Sequence, residues 1–324
     1  MRAAWYEKQG LARDVLVVGE MPDPSPATGE VRIRIAASGI NPGDIKKRQD
    51  AFDYGMPYPR VIPQSDGAGQ VDQVGDGVSS EWIGRRVWCY GAQSYRPFGT
   101  AAEFTLVPLD HVAPLPQNVS PDQGACLGIP GITAHRAVHV AGDVTGRTVL
   151  VQGAGGAVGM CAAALARHAG ARVIGTVRSS AEESAARTAG AHEVVLNDPG
   201  LVAGVKALAP DGIDHIVEVA FGANVDADVE MLKMGGSIGA YATDNATPKI
   251  PFWLMVFKNI RVFLLGSDDF PAEAKVAATR DLNDALQTGW AGFEIGERIP
   301  LAEIARAHEL VEHPVRRERV VLTV

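Results

Sequence analysis

Cysteine is scarce in this chain of 324 residues: there are three, Cys89, Cys126 and Cys161, far apart and in no CxxC pair. An odd, scattered set excludes a disulfide framework and a four-cysteine metal lobe, and it fits a reducing cytoplasm. Cys126 and Cys161 stand among small apolar residues and are expected as buried packing, not as nucleophiles. Excess positive charge is also missing. With 30 Lys and Arg against 38 Asp and Glu the net charge is −8, so nothing draws the chain as a whole to nucleic acid or an anionic membrane. Basic runs at Lys46-Lys47-Arg48 and Arg316-Arg317-Glu318-Arg319 are local and read as solvated faces. Long apolar runs are absent too. The most apolar stretch, Pro251 to Gly266, is interrupted by Lys258, Asn259 and Arg261 and falls short of the roughly 20 apolar residues that span a bilayer. The start, Met1 to Glu7, lacks the apolar segment of a signal peptide.

What remains is an ordinary globular composition, 46% hydrophobic and 21% charged, long enough for two domains. The first hundred residues read as short strands broken by turns. Val31 to Ala36 alternates apolar and polar, Gly67 to Val78 is β-like with glycine punctuation, and Gly84-Arg85-Arg86-Val87-Trp88 is a turn entering a strand. That pattern predicts an antiparallel, partly open barrel. The style changes near residue 120, where Ser120 and Pro121 mark a helix start. Strands are then expected at 148–152, 172–177, 193–196, 213–219 and 236–241, alternating with helices at 157–170, 181–189, 201–208 and 225–232. This is the signature of a doubly wound parallel sheet. A helix over 271–288 and a closing strand over 319–324 follow, and they are expected to return to the first domain.

The strand ending in Val149-Leu150-Val151 runs into Gly153-Ala154-Gly155-Gly156-Ala157-Val158-Gly159 and then into a helix. Such a turn lets backbone approach a pyrophosphate, and the helix N-terminus offers free N–H groups to it. The glycine pattern alone is weak; its place between a strand and a helix, at the start of a βαβ series, gives it weight. At the end of the next strand an acidic residue would accept the ribose hydroxyls of NAD. This chain has Arg178-Ser179-Ser180 there, with Arg178 nineteen residues after Gly159. Arginine and hydroxyls favour a 2′-phosphate, hence NADPH.

Taken with Ala37-Ser38-Gly39-Ile40-Asn41-Pro42-Gly43-Asp44, Gly67-Ala68-Gly69, Val74-Gly75, Gly84-Arg85-Arg86-Val87 and Gly128-Ile129-Pro130-Gly131-Ile132-Thr133-Ala134, the turn makes the chain resemble the medium-chain dehydrogenase/reductase superfamily, in the zinc-free quinone oxidoreductase branch that includes zeta-crystallin. The resemblance implies an α/β fold: a Rossmann doubly wound parallel sheet inserted into a GroES-like, partly open β-barrel catalytic domain. The expected boundaries are a catalytic domain over 1–120, an NADPH-binding domain over 121–262, and a Rossmann edge and return over 263–324, with the active site between domains.

Zinc-dependent members carry a Cys early in the first domain and a Gly-His-Glu stretch about 25 residues later. Here those places read Gly39-Ile40-Asn41-Pro42 and Pro63-Gln64-Ser65-Asp66-Gly67, so no metal is expected. His135 and His139, four apart on an expected helix, have no third ligand in view and read as helix-face histidines.

The resemblance further implies that Asn41, Asp44, Lys46, Gln64 and Thr133 serve catalysis. Lys46 stands where zeta-crystallin-like members have Tyr, and the run Lys46-Lys47-Arg48-Gln49 is similar to that of plant alkenal and enone reductases. Cofactor contacts are implied for Lys46, Thr133, Gly155, Gly156, Ala157, Val158, Arg178, Ser179, Asn197, Tyr241, Ala242, Thr243, Phe263, Leu264, Leu265 and Arg319. Tyr54, Tyr58, Tyr95, Phe252 and Trp253 are candidates to floor a pocket for a planar substrate.

The expected activity is zinc-independent reduction of a quinone by NADPH. Reduction of the C=C bond of 2-alkenals or enones is the alternative, and a non-catalytic NADPH- or RNA-binding protein a second, against which the acidic charge counts. The apolar edge at 251–266 is of a kind that related enzymes pair between subunits, so a homodimer is expected.

Overall fold

A computed structural model describes residues 1–313 and 318–324. Arg316 and Arg317 of the second basic run lie outside the described residues. The chain forms two compact units, residues 1–130 with 292–324, and residues 131–291.

The first unit is built on a seven-stranded sheet whose spine is the long strand Glu30–Gly39. Its alternation buries Val31, Ile33 and Ile35 against Val71, Val87 and Val107. On one side the spine pairs antiparallel with Asp66–Val74, which leads to Arg86–Cys89 and Val112–Pro114. Its beginning also pairs with Phe104–Pro108, and its end with Arg319–Thr323, so the C-terminal strand joins the sheet built from residues 30–114, while Arg2–Trp5 pairs apart from it with Val17–Glu20. One pair departs from the antiparallel expectation. Ile295–Pro300, a strand the sequence pattern did not suggest, runs parallel to Arg319–Thr323, because the helix Ile304–Glu312 lies between them and returns the chain to the same end.

The second unit carries a six-stranded, all-parallel sheet. Its strands are Thr148–Val151, Arg172–Val177, Glu193–Leu196, Ile213–Glu218, Leu232–Ala240 and Arg261–Leu264. Across the sheet they stand in the order third, second, first, fourth, fifth, sixth. The order reverses between the first and fourth strands, and ligands of such sheets bind at the carboxyl ends beside that reversal. Strand residues such as Val149, Leu150 and Val151 have no exposure, as a sheet covered on both faces requires. Helix Ala157–His168 presents Cys161 to Ala166 to the interior, and all three cysteines are free and buried.

The boundaries differ from the expected ones. Residues 121–130 belong to the first unit, where Gly124 packs on Ala68 and Leu115. The helix Ala272–Gln287 belongs to the second, where Leu282 packs on Gly131. Two helices also differ in extent. The expected helix over 181–189 is a 3₁₀ turn, Ser180–Glu182, followed by Glu183–Ala189. The one expected from 225 begins already at Phe221, where the Thr243 hydroxyl accepts from the Gly222 N–H at 3.2 Å. That tertiary cap outweighs the poor helix propensity of glycine.

The apolar stretch 251–266 folds as helix Phe252–Lys258, a left-handed cap at Asn259 with φ +53°, and the edge strand Arg261–Leu264. Trp253 is 67% exposed and Leu264 77%. Among the described residues no helix is long and apolar enough to cross a membrane.

Candidate functional site

In the second unit the glycine turn has the shape a nucleotide phosphate needs. Gly153 adopts φ +67° and donates its N–H to the Thr176 hydroxyl at 3.1 Å. Gly159 sits where a Cβ would come 2.2 Å from the Gly153 carbonyl oxygen, so only glycine allows helix and turn to cross there. Gly156 is the N-cap of the twelve-residue helix and offers no side chain to cap it. The first helical N–H groups therefore remain open to an anion.

A buried polar chain supports the turn from behind. Thr176 donates to Gln152 Oε1 at 2.7 Å, and Gln152 donates to Asp228 Oδ1 at 2.7 Å. Burial, reinforced by the neighbouring Glu218 carboxyl, raises Asp228 well above the usual carboxylate range, so this pair holds a proton in the interior. Burial likewise raises the Glu218 carboxyl, which accepts from Asn224 Nδ2 at 3.1 and 3.2 Å.

Arg178 follows the second strand and is 85% exposed at its side chain. A neighbour absent from the sequence expectations stands beside it. Glu182 accepts from the Arg178 N–H at 3.0 Å and from its guanidinium at 3.4 Å. The Glu182 side chain also packs on Gly155, whose Cβ would meet it at 2.9 Å. An acidic residue thus stands by the glycine turn, but four residues later than the place where an acid is usual; its signal in the sequence was only the i, i+4 spacing from Arg178.

Asn197 lies exposed at the end of the neighbouring strand, its N–H on the Val177 carbonyl at 2.8 Å, and Ser179 is exposed next to Arg178. Tyr241, Ala242 and Thr243 lie just past the end of strand Leu232–Ala240, and Leu265 just past Arg261–Leu264 with its N–H on Ala240 O at 2.9 Å. Phe263 is half-buried, while Leu264 points outward at the edge. Thr133 is buried in helix Ile129–His139.

In the first unit the expected residues Asn41, Asp44 and Arg319 form one cluster, around an acid the sequence expectations did not single out. Asn41 caps helix Pro42–Arg48, its N–H bonded to Asp44 Oδ2 at 2.8 Å. Its Nδ2 donates to Asp66 Oδ2 at 2.7 Å, and its Oδ1 accepts from Arg319 at 2.7 Å. Arg319 also donates to the Ile40 carbonyl at 2.9 Å. It is therefore buried behind Asn41, with its Nη2 already used. Asp66 Oδ2 takes a second bond from the Ile129 N–H at 2.8 Å, while Oδ1 has no partner. Burial, and after it the charge of Asp44, push the Asp66 carboxyl up to about 7. Its sequence signal was a charged residue opening the small-residue start, Gly67-Ala68-Gly69, of a strand.

Gln64 is fully buried with φ +74°, a strained value for a side-chain-bearing residue of the kind that marks functional sites. It accepts from Ser38 and faces His308 Nε2 at 3.4 Å. Lys46 is exposed, its ammonium 5.9 Å from the centre of the Phe52 ring. The run Lys46-Lys47-Arg48 is not a uniformly solvated face: Arg48 is fully buried and bonded to Glu312, Gly10 O and His308 Nδ1.

Of the candidate aromatics, Tyr54, Tyr58 and Tyr95 belong to the first unit and Phe252 and Trp253 to the second. Tyr54 stacks on Phe52 at the surface, and Tyr58 donates to the Tyr95 carbonyl at 2.6 Å. Phe252 and Trp253 lie on the exposed helix beside the edge strand.

Zinc fits poorly around Asn41 and Gln64. The first-unit residues there present amides, hydroxyls, the Asp44 and Asp66 carboxylates, each bonded to Asn41, and one imidazole, His308, which lies against the Arg48 guanidinium; no thiolate is among them. Ligand atoms do converge elsewhere among the described residues, at His135, His139 and Asp281. This corrects the expectation that the two histidines lack a third ligand: it comes from a helix about 140 residues further along the chain.

Two known families match this sequence. One is described as "Zinc-binding dehydrogenase", over residues 157–279, and the other as "Alcohol dehydrogenase GroES-like domain", over residues 27–117. Quinone oxidoreductase of Rattus norvegicus is 33% identical over 312 residues, covering 94% of this chain and 89% of the rat protein. A mycobacterial protein whose structure was solved in complex with NADPH is 26% identical, with TM-score 0.84 and full coverage of both chains. A 2-haloacrylate reductase is 25% identical, with TM-score 0.84, covering 100% of this chain and 99% of its own.

Proposed function

Because the chain belongs to the medium-chain dehydrogenase/reductase superfamily, as an oxidoreductase of the quinone oxidoreductase branch, we propose that it reduces a quinone with NADPH and without zinc. The observation that carries the reading is the glycine turn with its uncapped helix N-terminus, followed by Arg178 at the next strand end. NADPH, when bound, supplies the hydride.

In this reading the N–H groups from Gly155 to Val158 receive the pyrophosphate. Arg178, exposed and paired only loosely with Glu182, exchanges that carboxylate for the 2′-phosphate, with Ser179 beside it. Asn197 borders the adenosine, and Tyr241 to Thr243 the nicotinamide ribose. Phe263 to Leu265 and Thr133 reach toward the nicotinamide. Asp44 and Arg319 hold Asn41 in place, and Gln64 is held by Ser38 and His308. Lys46, exposed on its helix, donates to the substrate oxygen. Charge arriving on a quinone oxygen is delocalised, so a hydrogen-bond donor stabilises it where a zinc ion would otherwise be needed.

The same arrangement serves a 2-alkenal or enone. Lys46, in place of Tyr, and the likeness to a 2-haloacrylate reductase favour that second reading. We place the protein in the cytoplasm, with no membrane or nucleic-acid partner.

Oxidation of NADPH followed with a quinone and with a 2-alkenal decides between the two. Turnover with the quinone, unchanged after chelator treatment, is expected. Arg178→Ala should lower kcat/KM for NADPH by about 10- to 100-fold, the loss of one or two charge-assisted hydrogen bonds, and leave NADH nearly unchanged. Equal loss with both cofactors would sink the assignment of Arg178. Dinucleotide binding without turnover of either substrate would leave a non-catalytic binding protein.

We also propose a homodimer formed through the edge strand Arg261–Leu264 and helix Phe252–Lys258, whose exposed Trp253, Phe257 and Leu264 are costly to leave in water. Light scattering should give twice the chain mass of 34.2 kDa, and Leu264→Arg should return the monomer. A wild-type monomer would end this idea.

A further inference from the structure

The strongest unassigned constellation lies in the second unit, outside the dinucleotide turn. His135 and His139 stand one turn apart on one face of helix Ile129–His139, their ring centroids 4.6 Å apart. Asp281 comes from helix Ala272–Gln287. The two helices approach closely because residue 131 is glycine: a Cβ there would lie 2.8 Å from Leu282 Cδ1. One ligand atom from each of the three side chains falls within 4.8 Å of the others. We propose that His135, His139 and Asp281 bind a divalent transition-metal ion, Zn²⁺ being the best match, which clamps the two helices and keeps a water in its fourth position.

The donor set fits that ion and excludes its competitors. Two imidazoles and one carboxylate suit Zn²⁺, Co²⁺ or Ni²⁺, whereas Mg²⁺ and Ca²⁺ require oxygen ligands throughout. Burial, and then His135, bring the His139 imidazole down to about 4; burial also lowers His135. Burial works upward on the Asp281 carboxyl, but hydrogen bonds from Arg280 and His135 bring it below its ordinary value, so it is ionised.

Asp281 is also oriented. Arg280 Nε holds Oδ1 at 2.9 Å, which leaves Oδ2 turned to His135 Nε2, likewise at 2.9 Å. Such an outer partner is what a metal-binding carboxylate has in built sites. The ion would take the place of the proton now shared between Nε2 and Oδ2, with the ring proton moved to Nδ1. His135 is buried, while His139 and Asp281 are partly exposed, so the cluster reaches toward solvent at those two side chains.

The site is independent of the hydride chemistry, so its test is independent too. The full chain, stripped with a chelator and dialysed against Zn²⁺, is expected to retain one equivalent at these residues. Co²⁺ should give visible ligand-field absorption at the same stoichiometry. Saturating Zn²⁺ should raise Tm by about 5 °C through its preference for the folded state, and Mg²⁺ should not. His139→Gln and Asp281→Asn, both at partly exposed positions, should each weaken binding by about tenfold or more. His168→Gln, at an exposed histidine of another helix, should not. Circular dichroism of the two variants reports that they fold. Wild-type protein that holds no equivalent and gives no Co²⁺ spectrum, or unchanged binding in both variants, overturns the proposal. Loss of turnover on stripping would count against the zinc-free reading of the reaction, and not against this site.

Discussion

Gly159→Ala is expected to cost about 2–4 kcal/mol of stability and to weaken dinucleotide binding by about 100-fold or more, because the added methyl overpacks fixed backbone. Its Cβ would lie 2.2 Å from the Gly153 carbonyl oxygen, 2.8 Å from the Gly153 carbonyl carbon and 3.0 Å from Ala154 Cα. None of these atoms belongs to a flexible side chain, so the helix must move away from the turn. Gly156→Ala makes the informative contrast. Its nearest neighbour would be the Gly153 oxygen at 3.5 Å, an ordinary contact. The free protein should therefore tolerate that change, while cofactor affinity still falls because the methyl occupies the phosphate's approach. Titration of NADPH against both variants, with their Tm values, checks the pair. Wild-type affinity in Gly156→Ala would mean that no phosphate comes to this turn.

Asp66→Ala should destabilise the first unit by about 3–5 kcal/mol, the range for stripping one partner from a buried charged network. It leaves Asn41 Nδ2 and the Ile129 N–H without an acceptor and Arg319 without its nearby counter-charge. With Asn41 released, kcat should fall further than stability alone explains. Asp66→Asn keeps an acceptor for both donors and should cost far less.

Wild type and Asp66→Asn also differ in pH dependence. The folded-state value of Asp66, about 7, lies above the ordinary 3.8. The folded chain therefore holds a proton that the unfolded chain has already lost, and the group's contribution to stability is full below about 4 and is lost as pH rises toward 7. Asp66→Asn should abolish that decline. Denaturant titrations of wild type and Asp66→Asn between those pH values measure it, and equal slopes would show that Asp66 is ionised throughout.

Several of these positions were legible before any fold was known, and others were not. The alternation of Val31 to Ala36, the buried run Val149-Leu150-Val151 and the glycine turn announce themselves locally, since period and turn chemistry act over a few residues. Arg178 was legible for the same reason, as the residue after a strand. Asp66 looked like one of several polar residues in a strand; its meaning comes from Asn41, Ile129 and Arg319, which lie far from it in the chain. Arg48 read as one member of a basic run, although its partners Glu312 and His308 enclose it completely. The boundary near residue 130 was missed because Gly124 and Ile129 are claimed by contacts with the first unit, which leave no mark on local composition.

By itself, then, the sequence determined the class of fold, the order of the parallel strands along the chain, the glycine turn and the lack of Cys or His at positions 39–42 and 63–67. Each follows from short-range periodicity, backbone freedom or residue chemistry. Only the tertiary structure decided which buried acid stands behind Asn41, which carboxylate shares the strand end with Arg178, and that Asp281 meets His135 and His139. Those are pairings of distant segments, settled by packing energies summed over whole faces of helices and sheets, and no window of neighbouring residues contains them.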